Sequence, residues 1–250
     1  MIPGTLSGCQ AGAPCVLGRM LELVTKERYQ KISTMLARRQ PDLSVLAENV
    51  HKPHNLSAIL RSCDAVGVGV VHAVQPTGGV PTYNETSASA EKWVEVRVHA
   101  SLGEARATLG EVQFLAGHFS GTAKDYRDVD YARPTCILLG NEKHGVSHRA
   151  ADLADAHIII PMLGMVQSLN VSVAAAVILF EAQRQRREAG FYDAPRLDEA
   201  ERQRLAFGYL HPRQAARLRG LGQAFPELDD DGDITPVQAI GTETTTETEV

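Results

Sequence analysis

The stretch Ile-Pro-Met-Leu-Gly-Met-Val-Gln-Ser-Leu-Asn-Val-Ser, residues 160–172, decides the fold of the C-terminal half of the chain. A short apolar run, residues 158–160, precedes it, and Pro161 ends that run because proline lacks the amide hydrogen that a strand ladder needs. Apolar residues then recur with helical spacing over 171–188, up to Gly190. The stretch therefore predicts a polar loop between a short buried strand and a long helix.

The alternation of strand and helix continues outward from this stretch. Further strands are predicted over residues 43–50, 69–74, 93–98, 112–118 and 135–139, and further helices over 55–65, 102–109 and 148–154. Strands that are separated by helices form a parallel sheet that is covered on both faces. We therefore expect an α/β fold with an open, mostly parallel sheet, flanked by a basic N-terminal helix and by one or two basic helices within residues 196–225.

The composition indicates a globular chain that buries a core. Of the 250 residues, 44% are hydrophobic and 22% are charged. The longest apolar run, Val173 to Phe180, is too short to cross a bilayer, so no membrane partner is expected. The four cysteines form no Cys-x-x-Cys pair and do not resemble a disulfide framework, which predicts a reducing, cytoplasmic compartment.

The charge is distributed unevenly along the chain. The net charge is −5, but residues 227–250 hold eight acids and no Lys or Arg, so that the remainder carries 25 basic and 22 acidic residues, a net +3. The basic residues cluster in two flanks: Lys26, Arg28, Lys31, Arg38 and Arg39, and then Arg184, Arg186, Arg187, Arg196, Arg202, Arg204, Arg213, Arg217 and Arg219. This pattern is typical either of a phosphate-binding surface or of solvated helix faces, and charge alone does not decide between them.

Several common cofactor and metal motifs lack the residues that they require. Gly140 and Gly145 have the spacing of a phosphate loop, but Val146 follows where that loop needs lysine. His144 and His148 are four residues apart, but Gly145 interrupts a helix between them and no third ligand is near in sequence. We therefore expect no triphosphate loop and no metal.

Three polar segments each follow a predicted strand, where open α/β sheets bind their ligands. They are residues 55–61, 137–147 and 160–172, and their candidate side chains are Asn55, Arg61, Glu142, Ser168 and Asn170. Each side chain also has a purely structural interpretation: the two asparagines and the serine as helix caps, the glutamate near a helix start, and the arginine in an ion pair with Asp64. Together they predict one shared crevice.

In their order and spacing, these three segments resemble the signature motifs of the SpoU–TrmH family of SPOUT methyltransferases. The resemblance extends from about Lys26 to Leu221 and is greatest to the members that methylate the ribose 2′-hydroxyl of guanosine 18 in the D-loop of tRNA. It implies a C-terminal deep trefoil knot, a homodimer and S-adenosylmethionine as cofactor. The alternatives are a ribosomal-RNA 2′-O-methyltransferase of the same family and a non-catalytic RNA-binding module that retains the fold.

The resemblance also implies roles for individual residues. Arg61 acts on the ribose hydroxyl and is held in place by Asn55; because arginine stays charged, we expect it to stabilise the alkoxide that forms and not to accept the proton. Glu142, Ser168 and Asn170 shape the second and third loops. The residues expected to lie against the cofactor are Gly117, Leu139, Gly140, Ile160 and Leu169.

The basic flanks predict how tRNA is bound and how the chain divides. In a dimer, we expect a groove that contacts phosphates, beside the first segment, with the residues His54, Arg38, Arg39, Arg184 and Arg186. The predicted divisions are a disordered leader or mis-assigned start (1–25), the methyltransferase domain (26–190), a basic helical extension (191–226) and an acidic disordered tail (227–250).

Overall fold

A computed structural model of the chain describes residues 24–74, 92–141 and 143–235. Glu142, residues 1–23 of the predicted leader and the end of the predicted acidic tail lie outside the described residues. No helix among the described residues is long and apolar enough to span a membrane.

The described residues form helices and strands that alternate over most of the chain. The helices are α1 (Lys26–Ala37), α2 (Pro53–Val66), α3 (Leu102–Leu109), α4 (His148–Asp152), α5 (Val171–Glu188), α6 (Glu199–Leu210) and α7 (Pro212–Gly220). The strands are β1 (Leu43–Glu48), β2 (Val70–Val74), β3 (Glu95–His99), β4 (Gln113–Gly117), β5 (Lys124–Asp125), β6 (Thr135–Leu139) and β7 (Ala156–Ile159). A 3-10 turn over Tyr126–Asp128 follows β5.

The seven strands of the described chain form one sheet in the order β3-β2-β1-β6-β4-β7-β5, and every neighbouring pair is parallel. The predicted open, parallel sheet is therefore confirmed. The sequence analysis missed β5, because its two residues are too few to show a periodicity. It also began the last strand two residues late, since Ala156 and His157 are not part of the apolar run that marked it.

Helices cover both faces of the sheet, as the alternation predicted. On one face, α2 and α5 pack against each other and against the β1 residues Leu43, Val45 and Ala47. On the other face, α3 and α4 cover Leu46 and its neighbours from β4 and β6. Because successive side chains of a strand point to opposite faces, β1 is buried along its whole length and lies at the centre of the domain.

The terminal helices form a separate hydrophobic cluster around Phe207, in which α6 packs against both α1 and α7. Residues 227–235, which the sequence analysis assigned to the disordered tail, belong to this cluster. Leu228 is 7% exposed and pairs with Ile234 through an antiparallel bridge, and Asp231 forms an ion pair with Lys26 at 3.0 Å. The beginning of the predicted tail is therefore folded, because two apolar residues flank its acidic run.

Candidate active site

The three polar segments converge because of the order of the strands. β1, β6, β4 and β7 are consecutive neighbours in the sheet, and all are parallel, so their carboxyl ends lie along one edge. The first segment follows β1, the second follows β6 and the third follows β7, while Gly117 is the last residue of β4. The predicted crevice therefore has a structural basis at this edge.

A side-chain hydrogen bond joins the first segment to the third. The Asn170 Nδ2 atom donates to Asn55 Oδ1 at 3.3 Å, across 115 residues of sequence. Asn55 is only 1% exposed and lies inside α2, which begins at Pro53 after the N-cap Lys52. The interpretation of Asn55 as a helix cap is therefore wrong, since proline at the first helical position moves the start of the helix two residues earlier.

Asn170 has two functions in the structure. It is the N-cap of α5, where its Oδ1 accepts hydrogen bonds from the Ser172 amide at 2.8 Å and from the Ser172 hydroxyl at 2.7 Å. The capping interpretation is thus confirmed for Asn170 and wrong for Ser168, which lies exposed in the preceding loop. Because Oδ1 holds the helix and Nδ2 holds Asn55, one side chain fixes the start of α5 against α2.

Arg61 is exposed on α2, one and a half turns after Asn55. The predicted ion pair with Asp64 is wrong, because Asp64 instead accepts a hydrogen bond from Arg39 at 2.9 Å. The Arg61 guanidinium is therefore accessible at the surface of the helix that also carries the buried Asn55.

The loop after β6 is a tight arch. Asn141 and Gly145 exchange two backbone hydrogen bonds of 2.9 and 2.8 Å, and the Asn141 side chain donates to the carbonyl of Asn49 at 3.0 Å. A Cβ atom at Gly140 would lie 2.1 Å from the carbonyl carbon of Gly145, so only glycine fits there. The arch brings the second segment to the end of β1, next to the first segment.

The predicted cofactor residues lie at this edge and fit an adenosine group. Leu139 and Gly140 are buried, whereas Gly117, Ile160 and Leu169 are half-buried. The set offers apolar side chains that can cover a flat ring, together with backbone amides and carbonyls that can hydrogen-bond its polar edge. No group of metal-ligating side chains occurs among the described residues.

His118, which directly follows β4, lies in surroundings that favour its neutral form. The pKa of His118 is lowered by burial and by the nearby His157 and His148. Its ring packs edge-on against His157, with ring centroids 5.1 Å apart, and its amide donates to the Ile158 carbonyl at 3.2 Å. Both effects favour the uncharged His118 imidazole.

Two of the predicted RNA-binding arginines are in the interior, and the prediction is corrected for them. Arg39 is 3% exposed, and its guanidinium donates to the Val68 carbonyl at 2.9 Å and to the Trp93 carbonyl at 2.6 Å. Arg186 is 0% exposed and pairs with Asp42 at 2.7 Å. Both guanidinium groups are consumed by internal acceptors, so neither can contact a phosphate at the surface of this fold.

The other predicted RNA-binding residues are at the surface. Arg38 and His54 are exposed. Arg184 is also exposed, and it forms ion pairs of 2.7 Å with Glu181 and Glu188 on the same helix. Glu142 lies outside the described residues, so its predicted position in the crevice stays a prediction.

Sequence reasoning missed Glu48, a buried carboxylate at the carboxyl end of β1 that accepts hydrogen bonds from Ser147. The sequence could have indicated this residue, because Glu48 is the charged last residue of a strand whose other residues are apolar or small, Leu-Ser-Val-Leu-Ala-Glu over 43–48.

Comparison with known proteins finds the same family over most of the chain. Residues 42–180 match the SpoU rRNA Methylase family, and residues 184–236 match the family described as SpoU, rRNA methylase, C-terminal. The chain is 62% identical over 188 residues to the tRNA (guanosine(18)-2′-O)-methyltransferase of Thermus thermophilus, an alignment that covers 74% of this chain and 97% of that protein.

Two solved structures are also similar. The TrmH/SpoU tRNA modifying enzyme of A. aeolicus has a TM-score of 0.71 and 39% identity, and the match covers 75% of this chain and 97% of that one. The SpoU methyltransferase AviRb of Streptomyces viridochromogenes, in complex with the cofactor AdoMet, has a TM-score of 0.52 and 30% identity. That match covers 61% of this chain and 62% of the AviRb chain.

Proposed function

The chain belongs to the SpoU rRNA methylase family, and from this we propose that it transfers a methyl group from S-adenosylmethionine to the ribose 2′-hydroxyl of guanosine 18 in the D-loop of tRNA. The observation that carries the proposal is the hydrogen bond between Asn55 and Asn170, which joins the catalytic helix to the third loop at the edge where the cofactor binds. A tRNA substrate is favoured over ribosomal RNA because the Thermus thermophilus relative, whose name specifies guanosine 18, aligns over nearly its whole length.

The chemistry requires stabilisation of a ribose alkoxide. A ribose hydroxyl is a weak acid, and the bound cofactor supplies an electrophilic methyl group on a positively charged sulfur. An arginine guanidinium carries a positive charge in proteins, so Arg61 favours the alkoxide electrostatically, while a substrate phosphate or a water molecule takes the proton. Asn55 is immobilised by Asn170, and it therefore holds the start of α2 in a fixed position relative to the cofactor loop.

The residues that would hold the cofactor are Gly117, Leu139, Gly140, Ile160 and Leu169. Leu139 and Gly140 are buried at the end of β6, and the half-buried Ile160 and Leu169 of the third loop would hold the adenine ring of a bound cofactor. Glu142 and Ser168 add polar groups to the second and third loops. Asn170→Ala removes the bond to Asn55, and we expect it to weaken binding of S-adenosylhomocysteine in calorimetry; wild-type affinity would remove Asn170 from the cofactor site.

The fold and assembly that belong to this function are a C-terminal trefoil knot and a homodimer. The strand order supports the knot. β7 follows β6 in the chain but is separated from it in the sheet by the earlier strand β4, and α5, which follows β7, then packs on α2. Exposed apolar side chains on α5 and on the third loop support the dimer; they are Val173, Phe180, Leu163, Met165 and Val166. Light scattering tests the dimer, and a monomer at micromolar concentration would contradict it.

The domain divisions and the compartment follow from the same proposal. Residues 26–190 are the methyltransferase domain, and residues 191–226 form the helical extension that packs on α1. The cytoplasm is the expected compartment, since Cys63 and Cys136 are both buried free thiols in the described part of the chain.

tRNA binds through phosphate contacts on the exposed basic residues Arg38, Arg184 and His54. Because each neutralised phosphate releases counterions, the logarithm of the affinity falls linearly with the logarithm of the salt concentration. A slope near zero would contradict this part of the proposal.

The decisive experiment is mass mapping of ribose methylation in unmodified tRNA after incubation with the protein and S-adenosylmethionine. We expect one methyl group, on guanosine 18. Arg61→Ala and Arg61→Lys should abolish most single-turnover methylation at saturating RNA and cofactor, whereas Arg97→Ala on the edge strand β3 should not. Methylation of ribosomal RNA alone would favour the first alternative, and absence of any transfer would favour a non-catalytic RNA-binding module.

A further inference from the structure

Glu48 is a buried carboxylate for which the catalytic proposal gives no role. It is 4% exposed at the carboxyl end of β1, and its two oxygens accept hydrogen bonds from the Ser147 hydroxyl at 2.6 Å and from the Ser147 amide at 2.9 Å. No basic side chain forms an ion pair with it in the described part of the chain. A buried carboxylate is costly unless hydrogen bonds compensate, so an apolar residue would be the less expensive choice for packing alone.

The bonds to Ser147 close one end of the arch after β6, and Asn49 closes the other. The carbonyl of Asn49 accepts the Asn141 side chain at 3.0 Å, and Asn49 itself has a left-handed backbone with φ of 54°. Asn141 and Ser147 of this arch are thus bound to two consecutive residues of the chain. Ser147 also caps α4, where its hydroxyl accepts from the Ala150 amide at 3.2 Å.

This attachment links the cofactor loop to the catalytic helix. Glu48 and Asn49 directly precede the turn into α2, which carries Asn55 and Arg61. We propose that Glu48 is a positioning residue: through Ser147 it holds residues 143–147 of the arch in the conformation that binds S-adenosylmethionine, in register with α2. The proposal rests on the proposed function, because it assumes that this arch is the cofactor loop.

The test is calorimetric binding of S-adenosylhomocysteine to the full chain without RNA. Glu48→Gln keeps the size of the side chain but replaces one acceptor oxygen by a donor that faces Ser147, and we expect about tenfold weaker binding, the scale of one lost charge-assisted hydrogen bond. Ser147→Ala should weaken binding similarly, and Ser147→Thr should restore it because it retains the hydroxyl. Glu95→Gln, an exposed glutamate on β3, is the matched control and should bind normally.

Two further measurements separate positioning from general stability. Hydrogen exchange of the ligand-free protein should be faster in Glu48→Gln across residues 143–147 and unchanged in β2 and α6. In steady-state assays, we expect the KM for S-adenosylmethionine to rise about tenfold while kcat stays within about twofold, since a misplaced loop weakens cofactor binding before it alters the chemical step.

The outcomes distinguish this proposal from the proposed function. Wild-type affinity and unchanged loop exchange in Glu48→Gln would overturn the positioning role, as would a lower melting temperature with unaltered affinity. If Glu48→Gln does not fold, Ser147→Ala decides, because Ser147 is exposed and the substitution leaves Glu48 in place. If the wild-type chain binds no S-adenosylhomocysteine, the proposed function fails and the positioning role fails with it, whereas normal wild-type binding with unaffected variants refutes the role of Glu48 alone.

Discussion

The buried Arg186 offers the sharpest test of the structure, because the sequence placed this residue at an RNA-binding surface. Its guanidinium donates to the carboxylate of Asp42 at 2.7 Å, to the side chain of Gln40 at 3.1 Å, and to the carbonyls of Tyr131 at 2.9 Å and Arg133 at 3.1 Å. These contacts tie the end of α5 to the entries of β1 and β6. Arg186→Ala should therefore destabilise the fold.

The magnitude follows from the contacts that are lost. Removing one partner of a buried, hydrogen-bonded ion pair costs about 3–5 kcal/mol, because it leaves the remaining polar groups without compensation. The group left behind is the carbonyl of Tyr131, since the Arg133 carbonyl keeps the Thr135 hydroxyl at 2.7 Å and Asp42 keeps Arg196 at 2.7 Å. For a chain of this size each kcal/mol lowers the melting temperature by about 2–4 °C, so we expect a decrease of about 6–20 °C.

The assay is differential scanning calorimetry at one protein concentration, with Arg184→Ala as the control. Arg184 lies half a turn earlier on the same helix, but its ion pairs with Glu181 and Glu188 are exposed and contribute little. We expect Arg184→Ala to melt within a few degrees of the wild type. If Arg186→Ala melts as Arg184→Ala does, and only tRNA affinity falls, the reasoning from burial is refuted and Arg186 acts on RNA.

Three further predictions follow from individual contacts. Burial, with the charges of His99 and Arg97, lowers the pKa of His72 to about 4, below its unfolded value of about 6.5. The free energy of unfolding should therefore be highest above pH 6.5 and decrease by up to roughly 3 kcal/mol as the pH falls towards 4. In denaturant titrations, His72→Gln should show a flatter pH dependence than the wild type, whereas the exposed His51→Gln should not. Gly140→Ala should abolish binding of S-adenosylhomocysteine, because the added Cβ has no room. The control Gly103→Ala should bind normally, since its Cβ would meet only the Ser101 hydroxyl at 3.9 Å. Equal affinities of the two variants would show that the arch is not rigid. Burial raises the pKa of the Cys136 thiol to about 12, so iodoacetamide should not alkylate it in the folded protein. Peptide mass mapping should find Cys136 alkylated only after denaturation, and labelling of the native chain would contradict its burial.

Local sequence was sufficient for most of the elements. The helices Leu102–Leu109 and Val171–Glu188 and the strand Thr135–Leu139 have the bounds that their periodicity predicts. In each case the pattern of apolar residues, the capping residue and the terminating glycine or polar residue all lie within the element or next to it. The placement of α2 was less accurate, because Pro53 started the helix before Asn55.

The sequence by itself determined that three polar segments follow strands of a parallel sheet, and this is enough to predict a ligand-binding edge. Only the tertiary structure decided which residues meet there: it placed β6 and β4 between β1 and β7, joined Asn170 to Asn55, and put Glu48 under Ser147. It also turned Arg39 and Arg186 inward. The physical reason is that periodicity and capping act within a few residues of the chain, whereas strand order and the partners of buried charges depend on packing between segments that are far apart in sequence.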